Sequence, residues 1–306
     1  MSISQYIKEI GRGPRGSKPL TREQAADLFG QLLDGNVTDL EIGAFCLAMR
    51  IKGETPEEMC GFLGAAHSRM ALFPASDRPV IVLPSYNGAR KLPVLTPLLA
   101  LLLAREGLPV LLHGMRTEAR RTLASDVLLA LGVPALTAPE KIATGSVAHI
   151  ETGYLHAALA RLLKVREVVG LRNAGHSIVK LMNPCAGPAV VVTSYTHPEY
   201  YDMLQATFGT LHMTALLSRG LEGEVATDPR RTPRYDAFVA GVHQLLQEQQ
   251  PGTAADVPGL PTEIDIDTTA RYTQDVLDGR LPVPPALAQQ VEHILHLAAQ
   301  TPPHAP

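Results

Sequence analysis

The sequence predicts an α/β fold in which a small helical N-terminal domain precedes a large α/β domain with a mainly parallel sheet. Residues 21–72 place apolar side chains at helical spacing, behind helix starts at Thr21, Thr38 and Thr55. From Val80 onward, short apolar runs alternate with longer segments of helical character. That alternation is the order expected of successive βαβ units, which build a parallel sheet.

The first region is expected to contain three helices. Thr21 followed by Gln24 has the spacing of a capping box, and Asp34-Gly35-Asn36 ends that helix. Thr38 begins the second helix. Thr55-Pro56 begins the third, because proline is favoured in the first turn of a helix.

The second region contains five apolar runs that we predict to be strands. They are Val80–Leu83, Val110–Leu112, Val168–Leu171, Ala189–Ser194 and Leu211–Leu217. A helix is predicted at Leu95–Ala104, between the first two strands.

The loop and helix signals in the rest of the sequence suggest the domain limits. Residues 250–262 are rich in proline and glycine and predict a loop, and Ala286–Ala299 predicts a closing helix. We expect a helical domain at residues 1–73, an α/β domain at 74–300 and a disordered tail at 301–306.

Composition limits the functional classes. The chain has 306 residues, 45% of them apolar and 19% charged, and it has no uncharged apolar run long enough to cross a membrane. It begins without the apolar core of a signal peptide, and its three cysteines are scattered, so we expect a cytoplasmic protein without disulfides or membrane contact. The eleven histidines lack zinc-site spacing, so no metal or cofactor is predicted.

The segment Pro84–Lys91 follows the first predicted strand, at the position where βαβ units bind ligands. A phosphate-binding enzyme would have a glycine-rich loop there, so that backbone N–H groups could approach the anion. Instead, this segment carries Tyr86, Asn87 and the adjacent cations Arg90 and Lys91.

Three segments resemble the anthranilate phosphoribosyltransferases. They are Leu20–Glu58, Asp126–Val133 and Leu181–Pro184. The resemblance implies the nucleoside phosphorylase/phosphoribosyltransferase fold, with a helical segment at about residues 160–185 packed on the N-terminal domain. It also implies homodimerisation through the helical part.

The motifs of that family are mostly replaced in this chain. Its Gly-Thr-Gly-Gly-Asp pyrophosphate loop corresponds to Pro84–Gly88, and its Asn-Ile-Ser-Thr motif corresponds to Pro93–Thr96. Its Lys-His-Gly-Asn motif corresponds to Leu112–Met115, and its magnesium-binding Asp-Glu pair corresponds to Gly223-Glu224. Of the substrate-side features, Arg172 is retained. The vestigial substrate cleft then comprises Ser85, Asn87, Gly88, His113, Gly114 and Glu224.

These replacements all weaken one function. Phosphoribosyl pyrophosphate is held by N–H donors, a lysine and Mg²⁺, and each charge-assisted hydrogen bond is worth about 1.5–3 kcal/mol. Losing several of them favours a non-enzymatic role without a catalytic residue. The alternative is a glycosyltransferase that transfers a pentosyl group between altered substrates. A scaffold or sensor that binds a small anion in the cleft is a third possibility.

A second resemblance includes the segment Pro84–Lys91 itself. Together with Ile7–Gly13, Gly170–His176 and Gly220–Val225, it is similar to the YbiB-type proteins. This resemblance implies a non-enzymatic homodimer that binds DNA or RNA without sequence specificity. The candidate nucleic-acid-binding residues are Tyr86, Arg90, Lys91, Arg116, Arg120, Arg121, Arg172 and Lys180. Tyr86 is expected either to stack on a base or to pack on its own loop.

Overall fold

The computed structural model describes residues 2–13, 15–254 and 256–301. The expected disordered tail at 301–306 lies outside these ranges except for Thr301, which is buried and donates its hydroxyl to the Leu297 carbonyl. No helix in the described ranges is both long and apolar enough to span a lipid bilayer.

The N-terminal region is a helical bundle. Its helices are α1 (Ser4–Ile10), α2 (Arg22–Leu33), α3 (Asp39–Lys52) and α4 (Pro56–His67). The capping box expected at Thr21 is present at the start of α2, and capping boxes also begin α3 and α4. Phe29, Phe45 and Phe62 pack together at the centre of the bundle, with ring centroids 4.9–6.2 Å apart. Burial of these aromatic rings supplies much of the apolar surface that stabilises the bundle.

The rest of the chain forms one eight-stranded sheet. Its strands are β1 (Val80–Pro84), β2 (Val110–Gly114), β3 (Ala135–Leu136), β4 (Val147–Glu151), β5 (Ala189–Tyr195), β6 (Ala215–Arg219), β7 (Tyr235–Val239) and β8 (Val242–Gln247). The spatial order is β3-β4-β2-β1-β5-β6-β7-β8, and the pairs are parallel except for β6–β7 and β7–β8. The expected mainly parallel sheet is therefore confirmed.

Helices flank this sheet and connect its strands. They are α5 (Thr96–Arg105), α6 (Ala124–Ala130), α7 (Thr152–Leu155), α8 (Ala157–Val169), α9 (Gly175–Leu181), α10 (Tyr201–Thr210), α11 (Ile266–Leu277) and α12 (Pro285–Gln300). Helix α8 contacts α2 and α9 contacts α4, so both helices pack against the bundle.

Two of the predicted strands are wrong in whole or in part. The apolar run Val168–Leu171 is the end of α8, where Gly170 adopts a left-handed conformation and caps the helix. In the run Leu211–Leu217 the strand β6 begins only at Ala215, because Leu211 caps α10 and His212 turns the chain with φ 51°. Short apolar runs of this kind do not by themselves distinguish a strand from a buried helix end.

Candidate functional site

The carboxyl ends of β1, β2 and β6 open onto three loops at one edge of the sheet. The loop after β1 (residues 85–95) and the loop after β2 (115–123) are joined by a bridge in which the Ala89 N–H donates to the Thr122 carbonyl at 2.8 Å. In open α/β sheets this edge is where ligands bind. The geometry of these loops therefore decides what the protein can hold.

Glu224, which follows β6, lies inside the loop after β1. Its carboxylate accepts hydrogen bonds from the Ser85 hydroxyl at 2.6 Å, the Gly88 N–H at 2.8 Å and the Thr96 hydroxyl at 3.0 Å. All four residues are buried. Charge-assisted hydrogen bonds of this kind are about twice as strong as neutral ones. Glu224 is thus held as the centre of a closed set of donors.

Glu222 fills the outer part of the same loop. One of its carboxylate oxygens accepts from the Arg90 N–H at 2.9 Å and from the Lys91 N–H at 3.0 Å. Glycine is required at position 223, because φ is 83° and a Cβ there would lie 2.2 Å from the Asn87 amide nitrogen. We call Glu222 and Glu224 the carboxylate plug.

The carboxylate plug occupies the donors that an anion would use. Backbone N–H groups and hydroxyls beside the start of a helix are the usual ligands of phosphate in this kind of loop. Here the chain's own carboxylates accept from them. No group of three or more His, Cys, Asp or Glu side chains in the described ranges is arranged to hold a metal ion.

His113 and Gly114 end β2 directly beneath this loop. His113 is fully buried, and burial lowers its pKa to about 4, although the backbone of Met182 opposes the shift. The backbone of Gly114 lies against the loop after β1, since an added Cβ would lie 1.9 Å from the Ser85 carbonyl oxygen. These two residues hold the loop in place rather than facing a ligand.

A group of three arginines surrounds one carboxylate in the loop after β2. Glu118 lies 2.8 Å from Arg166 Nη1, 3.2 Å from Arg121 Nε and 3.4 Å from Arg172 Nη2. Arg172 also donates to the Asn87 side-chain oxygen at 2.5 Å. We call Arg121, Arg166 and Arg172 the arginine cluster. Arg166 was not among the candidate residues. Its place in the last turn of α8 was obscured by the strand predicted from Val168 onward.

The other candidate cations lie on either side of this cluster. Arg116 pairs with Asp126 at 2.5 Å and donates to the Arg121 carbonyl at 2.7 Å. Arg90, Lys91 and Arg120 are exposed. Arg90 lies 3.5 Å from the carboxylate of Glu222.

Tyr86 is not available to stack on a base in this structure. Only 3% of the residue is exposed, and its ring packs edge-on against His176 with centroids 5.8 Å apart. Arg172 Cζ lies 6.0 Å from the ring centroid. Of the two roles expected for Tyr86, packing fits the buried ring, but the ring packs on His176 and Arg172 rather than on its own loop, and base stacking would require the loop to open.

Lys180 lies in a cavity of about 300 Å³ between the end of α3, α9, and the segment from β5 into α10, and Arg50 and Arg172 line the same cavity. Its amine donates to the Ser194 carbonyl, and burial lowers its pKa to about 8. The cavity is also lined by His176, Thr193 and Ser194, each with a buried polar atom that has no hydrogen-bond partner in the described part of the chain. We call this space the cleft cavity.

Comparison with known proteins agrees with the fold. Residues 4–70 match the helical bundle domain of a glycosyl transferase family. YbiB of Escherichia coli, which is named an uncharacterized protein, is 37% identical over 95% of this chain and 92% of its own length. The anthranilate phosphoribosyltransferase of a Methylobacterium species is 28% identical over 91% of this chain and 83% of its own.

Solved structures extend the likeness to the whole fold. Anthranilate phosphoribosyltransferase from Thermus thermophilus superposes with a TM-score of 0.73 at 22% identity, over 97% of this chain and 87% of the other. The Saccharomyces cerevisiae enzyme in complex with PRPP and Mg gives a TM-score of 0.70 at 13% identity, over 97% and 88%. At these identities the likeness shows the fold alone, and the expected helical bundle joined to an α/β domain is confirmed.

Proposed function

This chain belongs to the family of YbiB and is also similar to the anthranilate phosphoribosyltransferases, and from the charges at its cleft we propose that it binds DNA or RNA without sequence specificity. The binding residues would be the basic side chains beside its degenerate cleft, in a homodimer. The proposal combines three features: a filled anion site, an excess of cations beside it, and an exposed apolar stripe on α3.

The carboxylate plug argues against phosphoribosyl transfer. Glu224 already accepts from Ser85, Gly88 and Thr96, the donors nearest to the start of α5. A pyrophosphate group entering this loop would have to displace that carboxylate or lie beside it, and like charges in a poorly solvated site repel strongly. The partner carboxylate that would help to hold magnesium is replaced by Gly223.

The excess of cations is the observation that carries the proposal. The loops at residues 85–95 and 115–123 contain five cations, Arg90, Lys91, Arg116, Arg120 and Arg121, and one carboxylate, Glu118. Arg166 and Arg172 approach from α8 and the α8–α9 junction. Cations along one edge, without groups that read base edges, are what sequence-independent binding to a phosphate backbone requires.

A second copy of this chain is the partner that we propose for α3. Leu40, Leu47 and Ile51 recur at helical spacing along this helix and are 83%, 47% and 62% exposed. Exposed apolar side chains that follow one face of a helix often indicate a protein–protein interface. A two-fold axis across the stripe would pair it with itself, which is the commonest symmetry of homodimers.

Fluorescence anisotropy with labelled single-stranded DNA and RNA tests the proposal. We expect micromolar or tighter binding at about 50 mM salt and an affinity at least about tenfold lower at 200 mM, because each phosphate contact releases counterions. Arg120→Gln should weaken binding. Lys141→Gln, which pairs with Asp77 ahead of β1 at the opposite edge of the sheet, is the matched control and should not. Absence of binding at the lower salt concentration would refute the proposal.

A second candidate function is the binding of a small anion in the cleft cavity. Lys180 has no carboxylate within ion-pair distance among the described residues, and unpartnered hydroxyls of Thr193 and Ser194 lie beside it. Calorimetry with phosphate, pyrophosphate and nucleotides tests this candidate. Magnesium-dependent release of pyrophosphate from phosphoribosyl pyrophosphate with an aromatic amine tests the transferase alternative.

A further inference from the structure

Two guanidinium groups of the arginine cluster carry buried donors that no hydrogen bond satisfies. Arg121 Nε lies 3.2 Å and Arg166 Nη1 lies 2.8 Å from the Glu118 carboxylate, close enough for ion pairing. Neither N–H is directed at an acceptor in the described part of the chain. A buried donor left without an acceptor is unfavourable, so the cluster is incompletely satisfied by Glu118 alone.

The shape of the cluster suits a different anion. A carboxylate is planar and offers two oxygens, whereas three guanidinium groups converge here from the β2–α6 loop, α8 and the α8–α9 junction. A phosphate group offers oxygens in a tetrahedral arrangement and pairs with arginine through directed, charge-assisted bonds. The side chains of Arg121 and Arg166 are only 10% and 22% exposed, so neighbouring structure fixes their positions.

We propose that Arg121, Arg166 and Arg172 form a phosphate-binding site, and that Glu118 occupies the anion position until a phosphate group displaces it. For the phosphates of a nucleic-acid backbone the inference rests on the proposed function. For free phosphate it stands independently. Glu118 belongs to a surface loop and its side chain is 27% exposed, so it can turn into solvent when an anion enters.

Glu118 is negatively charged at neutral pH, so its carboxylate competes with a phosphate group for the three arginines. Burial would raise the pKa of its carboxyl, but the ion pairs with Arg166, Arg121 and Arg172 outweigh burial and hold the pKa below its ordinary value. Replacing the carboxylate by an amide of the same shape therefore removes one competing negative charge and leaves the three arginines in place.

The test compares Glu118→Gln with Glu140→Gln, which removes the same charge from an exposed position without an ion pair among the described residues. Calorimetry with inorganic phosphate measures the site itself, and anisotropy with single-stranded DNA measures it on a backbone. We expect Glu118→Gln to bind phosphate about fivefold more tightly than the wild type, since each partly exposed ion pair that it removes is worth a few tenths of a kcal/mol to 1 kcal/mol. Its DNA affinity should rise, and the salt dependence should steepen by about one phosphate contact. Glu140→Gln should change phosphate affinity less than twofold.

A second pair of variants covers the case in which Glu118→Gln does not fold. Arg166→Gln should weaken phosphate binding about fivefold or more, and Arg161→Gln, an exposed arginine on the same helix, should not. If Glu118→Gln and wild type bind phosphate and DNA equally, the inference is overturned while DNA binding by the wild type stands. If neither protein binds DNA but Glu118→Gln binds phosphate more tightly, the phosphate site stands and the proposed function fails.

Discussion

Two histidines, His113 and His176, are part of the packed interior. His113 ends β2 beneath the loop after β1 and is fully buried. Burial lowers the pKa of His113 to about 4 and, together with the nearby Arg172 and Arg166, that of His176 to about 3. Both imidazoles are therefore neutral at physiological pH. They stabilise the native state only while they stay uncharged.

The free energy of unfolding should consequently fall as the pH drops below neutrality. In the unfolded chain His113 has a pKa of about 6.5. Between pH 6.5 and the folded-state pKa of about 4, the unfolded state binds more protons than the native state, so stability decreases with decreasing pH. Below the folded-state pKa this loss is complete. Between pH 7 and 5 we expect His113 alone to cost about 2 kcal/mol.

Urea unfolding of the wild type and of His113→Asn at pH 7 and pH 5 measures this contribution. The variant should lose less stability between the two pH values, whatever its stability at pH 7. His212→Asn is the matched control, because His212 is exposed and has φ 51°, a conformation that asparagine tolerates. An unchanged pH dependence in His113→Asn would contradict the burial argument.

The loop after β1 and the turn after β6 act together as one unit. Glu224 joins Ser85, Gly88 and Thr96, and Glu222 joins the backbone of Arg90. The two segments are more than 120 residues apart in the chain. The carboxylate plug therefore closes a long-range contact that fixes the carboxyl edge of the sheet.

Removing the charge of Glu224 should loosen this unit. Glu224→Gln keeps the shape of the side chain, but one of the two oxygens that accept from Ser85, Gly88 and Thr96 becomes an NH₂ group, which cannot accept a hydrogen bond. We expect a loss of about 2 kcal/mol in the free energy of unfolding, the value of one or two charge-assisted hydrogen bonds. Glu292→Gln, at an exposed position on α12, should stay within about 0.5 kcal/mol of the wild type. Chemical denaturation measures both, and equal stabilities would show that the plug is not structural.

Short sequence patterns predicted the helices that have clear start signals and the strands that are continuous apolar runs. Helix-start signals at Thr21, Thr38 and Thr55 located α2, α3 and α4, and apolar runs located β1, β2 and β5. Strands β3 and β4 were not predicted, because they are short or partly exposed. Strand β8 was not predicted either, because it lies at the sheet edge with its first four residues exposed. The strand predicted at Val168–Leu171 failed because its apolar residues end a helix, with Val168 itself in solvent.

The candidate site was predicted less completely, because its contacts join distant segments. The positions of Ser85, Gly88 and Glu224 in one cleft followed from the family resemblance. The direct bonds among them did not, since sequence spacing does not show which donors a carboxylate meets. For the same reason the sequence could not show whether Tyr86 is exposed or buried. Its burial depends on His176 and Arg172, which lie about ninety residues further along the chain.

At the scale of the whole molecule, charge and apolar surface are separated. The net charge is −3, yet the carboxyl edge of the sheet carries the arginine cluster and its exposed neighbours. The apolar stripe of Leu40, Leu47 and Ile51 lies on the helical bundle. Association through the bundle would leave the cationic edge of each copy free, so a dimer would present two cationic surfaces to one nucleic acid.

A charge placed in the α3 stripe should separate the proposed dimer. We expect the wild type to elute with twice the 32.9 kDa mass of the chain in light scattering after gel filtration, and Leu47→Glu to elute as a monomer. The carboxylate would have to be buried unpaired in the interface, which is strongly unfavourable. Val242→Glu adds the same charge at an exposed apolar position on β8 and should stay dimeric.

The same two variants connect assembly with binding. If a long single strand contacts both copies, Leu47→Glu should bind it at least about tenfold more weakly than Val242→Glu does, because the second contact is no longer intramolecular. A strand too short to reach both copies should bind the two variants equally. A monomeric wild type, or a Leu47→Glu variant that remains dimeric, would show that α3 is not the interface.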